Sequence, residues 1–346
     1  MRVLELLDRI VERGNQRLVL ATLISVERSA PRDPGAVMLI SEGGELWGSI
    51  SGGCVEAALV GEAQGVRSDG KARVVTYGIS DADAQAVGLS CGGTIRVLLE
   101  LVAPAIFAAV HDRIRHERLL LSALRTGGAN LGARLFAFEN GYLGSLGNAA
   151  LDSAVAAGQP VNDTPLFVQR IVPAPDMYVF GASDLTHAMV RAAKFLGYHV
   201  TVCDARPAFA AAERFPDADR VVVAWPHEFL RDATVDERTA LVVLTHDEKF
   251  DIPLLQAALQ SDAGYIGVLG SRRTHAHRLE RLRECGVSDL QLERLCAPIG
   301  LDIGARTPQE TALAIAAEIV AERNRRDGGR LTGGEGSLHG RPVRRA

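Results

Sequence analysis

Apolar positions along the chain fall into two regimes, and the change between them lies near residue 175. Before it, apolar runs of strand length are separated by glycine-rich turns. The first ten residues space their apolar side chains as one face of a helix. Strand-like runs are expected at residues 17–26, 36–40 and 45–50, a helix at 55–66, and further strands at 72–77 and 94–101, with an acidic turn at 80–83 between the last two. From 104 to 175 the pattern predicts helices at 105–115 and 148–157, the second closed by Gly158, and strands at 119–124, 133–138 and 166–172.

Beyond Pro173-Ala174-Pro175, which cannot continue a strand or helix, short wholly apolar runs alternate with helical stretches. The runs are 177–180, 199–203, 220–224, 240–245 and 265–269. Strands that are apolar on both sides and separated by helices imply a parallel sheet covered on both faces. Thr307-Pro308-Gln309-Glu310 is a capping box with proline at the first helical position, and it opens an alanine-rich final helix to about residue 323. The expected architecture is α/β: an N-terminal mixed α+β domain over 1–103, then a Rossmann-like doubly wound parallel-sheet domain over 176–323. Residues 104–175 either join the first domain or bridge the two. The glycine- and arginine-rich residues 324–346 have too little apolar content to pack and are expected to be disordered.

The bulk properties narrow the partners. A chain of 346 residues is long enough for two cores, and its net charge of −4 calls for neither nucleic acid nor a membrane surface. Aromatic residues are too sparse, at 5%, for base-stacking platforms. The first residues carry acids where a signal peptide would be apolar, and no apolar run reaches the roughly 18 residues that span a bilayer. Five widely spaced cysteines, an odd count in a large chain, fit reduced thiols and a cytoplasmic location.

Two of those cysteines lie among glycines, in Ser51-Gly52-Gly53-Cys54-Val55-Glu56 and Leu89-Ser90-Cys91-Gly92-Gly93. Glycine runs bend sharply and let a ligand approach the backbone, so both thiols are expected to be reachable. Cys54 falls at or beside a helix start, where free N–H groups and the helix dipole favour thiolate. Glu56 could accept a proton or bond back to the turn. Two soft donors, if the loops meet, would suit molybdenum–sulfur chemistry, persulfide transfer, copper(I) or zinc. Zinc is disfavoured because neither cysteine has a second Cys or His beside it at ligand spacing. Cys203, Cys285 and Cys296 are expected to be structural.

In the second regime, Met177 through Thr186 has the position of a dinucleotide fingerprint, and Asp204 follows at the offset expected of a ribose-binding acid. Gly181 supplies the first glycine, but Ser183 and Thr186 stand where the others are wanted, which weakens the case for NAD(P). Arg206 could meet an extra phosphate or pair on the surface. Ligands in such sheets bind beyond the carboxyl ends of the strands. Three groups fall there: Thr245-His246-Asp247, Gly270-Ser271-Arg272-Arg273 as an anion site at a helix start, and Pro298 to Gly304 after a sixth strand. His275 and His277 do not share a helix face and are discounted as metal ligands.

Taken together these motifs resemble the xanthine dehydrogenase accessory protein family (XdhC/CoxI), over nearly the whole chain. The resemblance rests on Ser29 to Ala36, Gly48 to Glu56, Ser90 to Gly93, Thr245 to Asp247, Tyr265 to Arg273 and Ala297 to Gly304. It implies a chaperone that binds molybdenum cofactor, supports its sulfuration with a cysteine desulfurase, and delivers it to an apo molybdenum hydroxylase. The metal end would face Cys54 and Cys91, with Glu56 beside them and the backbone of Gly52, Gly53, Gly92 and Gly93 in reach. The phosphate end would use Gly181, Ser183, Asp204, Arg206, His246, Asp247, Gly270, Ser271, Arg272 and Arg273. An NAD(P)-dependent oxidoreductase is the competing function, and a homodimer is left open. Two departures stand out: Arg28 replaces an expected glycine, and Asp184 an expected histidine.

Overall fold

The computed structural model describes residues 3–28, 30–78, 93–162 and 164–333. They form two compact units, Met1–Val172 and Pro173–Gly334, divided at the Pro173-Ala174-Pro175 segment. The last thirteen residues of the expected disordered tail, Cys91 and Gly92 lie outside the described residues. Among the described residues no helix is long and apolar enough to cross a membrane.

The first unit opens with α1 (Val3–Arg13), β1 (Val19–Glu27), β2 (Val37–Ile40), β3 (Leu46–Gly48), α2 (Glu56–Asp69), β4 (Arg73–Tyr77) and β5 (Thr94–Leu101). The five strands make an antiparallel sheet in the order β3-β2-β1-β5-β4. Alternation along β1 divides its side chains. Val19, Ala21 and Leu23 pack under Leu59, Ala63 and Val66 of α2, while Leu18 and Leu20 face α1 through Leu6, Leu7 and Ile10.

Next come α3 (Pro104–Arg113), β6 (Leu119–Arg125), β7 (Arg134–Phe138), β8 (Gly141–Gly144), α4 (Ala149–Ala156) and β9 (Leu166–Arg170). Their strands form a second antiparallel sheet, β8-β7-β6-β9. Residues 104–172 are therefore no bridge: Phe107, Leu119, Phe136 and Phe138 share one apolar cluster with Leu18, Leu20 and Leu39 of the first sheet. Strand β8 was not anticipated, although Asn140-Gly141 is the dipeptide a tight hairpin favours. A buried ion pair ties the two sheets together. Glu100 of β5 accepts from Arg134 of β7, whose guanidinium also donates to Ser122 Oγ at 3.2 Å and Thr22 Oγ1 at 3.3 Å.

Arg28, just past β1, has φ of 68°, in the left-handed region. A glycine belongs there for a steric reason, since a Cβ costs about 1–2 kcal/mol in that conformation. Arg28→Gly should stabilise the protein by about 0.5–1 kcal/mol, after the greater freedom of glycine in the unfolded chain is subtracted. Thermal unfolding would register this as a higher midpoint.

The second unit contains β10 (Asp176–Phe180), α5 (Asp184–Phe195), β11 (His199–Asp204), β12 (Arg220–Val223), α6 (Pro226–Asp232), β13 (Ala240–Val243), α7 (Glu248–Gln260), β14 (Tyr265–Val268), α8 (Arg272–Glu284), α9 (Asp289–Leu292), β15 (Leu295–Cys296) and α10 (Pro308–Arg323). All six strands are parallel, in the order β12-β11-β10-β13-β14-β15. Met177 and Val179 face α5 and α10. Tyr178 and Phe180 face α6 and α7 on the other side. This is the doubly wound Rossmann order, with its switch point between β10 and β13. The predicted capping box forms at α10, where Glu310 N donates to Thr307 Oγ1 and Thr307 N to Glu310 Oε2.

Candidate functional site

In the first unit, the segment between β3 and α2 is wound around one carboxylate. Glu56 accepts hydrogen bonds from the backbone N–H groups of Ile50, Ser51, Gly52, Gly53 and Val55, at 2.9–3.2 Å. The hydroxyls of Ser49 and Ser51 add two more, at 2.7 and 2.6 Å. Gly52 and Gly53, with φ of 78° and 124°, supply the positive dihedrals that turn successive N–H groups inward. Burial pushes the carboxyl up, but the Ser51 and Ser49 hydrogen bonds outweigh it and hold Glu56 at about 2 instead of 4.5. Glu56 is thus ionised at neutral pH and bonds back to the turn, the second of its two expected roles.

Cys54 sits one residue before Val55, the N-cap of α2. It is half-buried, against the apolar cluster containing Val55 and Leu59. Glu56 accepts from the N–H groups on either side of Cys54, those of Gly53 and of the N-cap Val55. Among the described residues there is open space here: a Cβ at Gly52 or Gly53 would meet no atom of theirs within 4 Å. The thiol therefore stands beside an exposed turn held by Glu56, with room above its glycines among the described residues. Gly93, at the far end of the other cysteine motif, is buried just before β5.

The second unit gathers its predicted residues at the carboxyl edge of the parallel sheet. The glycine turn after β10 is spent on internal packing. A Cβ at Gly181 would meet Thr245 Cγ2 at 2.8 Å, and Thr186, fully buried, donates its hydroxyl to the Gly181 carbonyl. Asp204 closes β11 with 2% exposure, and its oxygens accept from Ala182 N, Arg206 N, Arg206 Nε and Arg206 Nη2 at 2.8–2.9 Å. Burial raises its pKa and the bonds from Arg206 and Ala182 lower it, with a net shift downward. Asp204 therefore has the position expected of a ribose-binding acid, but its carboxylate is spent on Arg206 two residues on and on the Ala182 N–H of the turn after β10. Ser183 is exposed and caps α5, and Asp184 puts a negative charge on that helix start, where a phosphate would otherwise sit.

His246 and Asp247 are exposed after β13, with Asp247 capping α7 and pairing with Lys249 at 2.9 Å. Ser271 caps α8, and Arg272 and Arg273 are exposed in its first turn. Below them a buried chain runs Thr245–Asp251–Arg278: Thr245 Oγ1 bonds Asp251, whose Oδ2 accepts from Arg278 Nη2 at 2.9 Å. Cys203 is buried in β11, where burial pushes its thiol up to about 12, and Cys285 caps α8. Sequence reasoning missed Trp225, which follows β12 and remains 43% exposed with its ring 5.1 Å from that of Phe250. Its signal was available, as one of two tryptophans placed directly before a proline at a predicted strand end.

A cysteine-bearing glycine turn in a mixed α+β unit and a Rossmann unit whose fingerprint is sealed define a particular class. Residues 12–78 match the model of the XdhC and CoxI family, and residues 177–319 match the XdhC Rossmann domain. The chain belongs to the XdhC and CoxI family. It is 30% identical to a protein of Bacillus subtilis (strain 168) named as a probable xanthine dehydrogenase subunit, over 92% of this chain and 97% of that one. It is 29% identical to the molybdenum cofactor insertion chaperone PaoD of Escherichia coli (strain K12), over 88% and 83% respectively. A crystal structure of a Bacillus halodurans protein named as a xanthine dehydrogenase superposes with a TM-score of 0.75, at 29% identity, covering 96% of this chain and 98% of that one.

Proposed function

We propose that this protein is an accessory factor of the cytoplasm that holds molybdenum cofactor, supports its sulfuration, and inserts it into a xanthine dehydrogenase-type molybdenum hydroxylase. The observation that carries the reading is Cys54: a half-buried thiol on a turn fixed by Glu56, with open space over Gly52 and Gly53 among the described residues. A soft sulfur donor beside a glycine surface suits the molybdenum end of the cofactor. Family membership and the name of the PaoD relative point the same way. Taken by itself, the second unit exposes two cations, Arg272 and Arg273, at a helix start, a feature that suits an anion. Cys91 joins the proposal on its sequence motif, and a cysteine desulfurase is the expected sulfur source.

Cofactor is the cargo here, and the chain's own work is to bind it, shield it and release it to the apo-hydroxylase. The test is maturation of that enzyme. Apo-hydroxylase supplied with cofactor, a cysteine desulfurase with its cysteine substrate, and wild-type protein should become active. Cys54→Ala should leave activation at the level of cofactor alone, and wild-type activation by a Cys54→Ala/Cys91→Ala variant would contradict a sulfur role. The oxidoreductase alternative requires nicotinamide nucleotide, and the buried, fully bonded Asp204 together with Asp184 at the α5 start disfavours it. Titration with NADH and NADPH is expected to show no binding in the millimolar range.

A further inference from the structure

Three helices of the second unit start at the carboxyl edge of β10, β13 and β14, and their charges differ. The first turn of α5 carries Asp184, and that of α7 carries Glu248 and Asp251. The first turn of α8 has no acid and two exposed arginines, Arg272 and Arg273. Ser271 Oγ accepts from Thr274 N at 3.1 Å, so the backbone N–H groups of Arg272 and Arg273 head the helix.

The second observation lies underneath. Arg278, on the same helix, is only 5% exposed. Its Nη2 donates to Asp251 at 2.9 Å and to the Leu269 carbonyl at 3.3 Å. Its Nη1 is buried and has no hydrogen-bond partner among the described residues. That nitrogen points at the loop: a Cβ on Gly270 would lie 3.4 Å from it. A buried guanidinium donor without an acceptor carries a desolvation cost that a bound anion would relieve.

We infer that the Leu269–Arg272 loop is an oxyanion site for a phosphate monoester or diphosphate, with Arg278 as its floor and Arg272 and Arg273 as its walls. This deepens the reading above, because molybdenum cofactor carries a phosphate, and it assigns Arg278 a role that no motif suggested. Gly270 is needed so that the loop can lie against Nη1 without a side chain between them. Asp251 holds the fork in place from below and, through Thr245, connects the site to the loop carrying His246 and Asp247.

The test is calorimetric titration of the full-length, cofactor-free protein with glycerol 3-phosphate and, separately, with pyrophosphate, at low salt. The ratio of the two affinities distinguishes a monoester from a nucleotide-type diphosphate. Arg278→Lys keeps a cation opposite Asp251 but removes the fork, and should weaken the tighter anion about tenfold, the loss of one charged hydrogen bond. If that variant folds poorly, the guanidinium nitrogen resonances of wild-type Arg278 provide the readout, and they should shift saturably with anion. Binding that leaves those resonances and the Arg278→Lys affinity unchanged would overturn the role of Arg278. Failure of wild type to bind either anion would overturn the site. Because no cofactor is involved, a protein that carries cofactor yet ignores both anions loses only this inference. One that binds anions through Arg278 yet never carries cofactor loses only the function proposed above.

Discussion

Arg134→Met is expected to destabilise the first unit by about 3–5 kcal/mol, as measured by urea unfolding, because it strands the buried Glu100 carboxylate. The loss is mainly the cost of an uncompensated charge. Burial pushes the Glu100 carboxyl up, and Arg134 is the group that pulls it down. The net shift is already upward with Arg134 in place, and losing Arg134 raises the folded-state pKa further. The variant is then most stable below the unfolded carboxylate range and loses stability as pH rises through the folded pKa. Replacing both partners, as Glu100→Leu with Arg134→Met, should recover most of the loss, since two apolar residues leave no charge between the sheets. A double variant as unstable as the single one would show that the pair does more than neutralise itself.

The second large effect belongs to Glu56. Glu56→Gln puts an N–H₂ donor where five backbone N–H groups and two hydroxyls converge, and should cost about 1–2 kcal/mol, with the part-exposed setting keeping it at the low end for charged hydrogen bonds. The pH sign follows from a depressed pKa. Wild type has the full contribution above about 4.5 and loses it as pH falls toward about 2, whereas Glu56→Gln should lack that acid limb. Because the same carboxylate fixes the turn bearing Cys54, the variant should also retain less cofactor at neutral pH. Unfolding curves at pH 7 and pH 3 would check the first claim. A difference between wild type and variant that stays constant across that range would refute it.

Much of the architecture was legible because strand and helix periods are strong signals. The five predicted parallel strands of the second unit all form, and β5 spans its predicted residues, Thr94–Leu101. Residues 104–172 were ambiguous because membership of a core depends on which distant apolar side chains meet, here Phe136 and Phe138 with Leu20, and spacing along the chain does not encode that. Asp204 was legible as a position but not as a role. Its offset matches a ribose contact, yet Arg206 two residues later and Ala182 across the turn take every bond it can make. The position of Cys54 beside a helix start was legible, and Glu56 bonding back to the turn was one of two roles weighed. That this one carboxylate gathers the whole turn emerges only in three dimensions. Arg278 was hidden among Arg272, Arg273, Arg281 and Arg283 on one helix, and only burial against Asp251 separates it from them.

One measurement bears most directly on the central claim, that this chain carries molybdenum cofactor with Cys54 at its metal end. The protein is isolated anaerobically from molybdenum-replete cells, and its molybdenum and oxidised pterin are quantified beside those of Cys54→Ala. The account predicts both in equal, stoichiometric amounts in wild type and a marked loss of both in the variant. Wild-type protein free of pterin and molybdenum, or a variant that keeps its full complement, would contradict it.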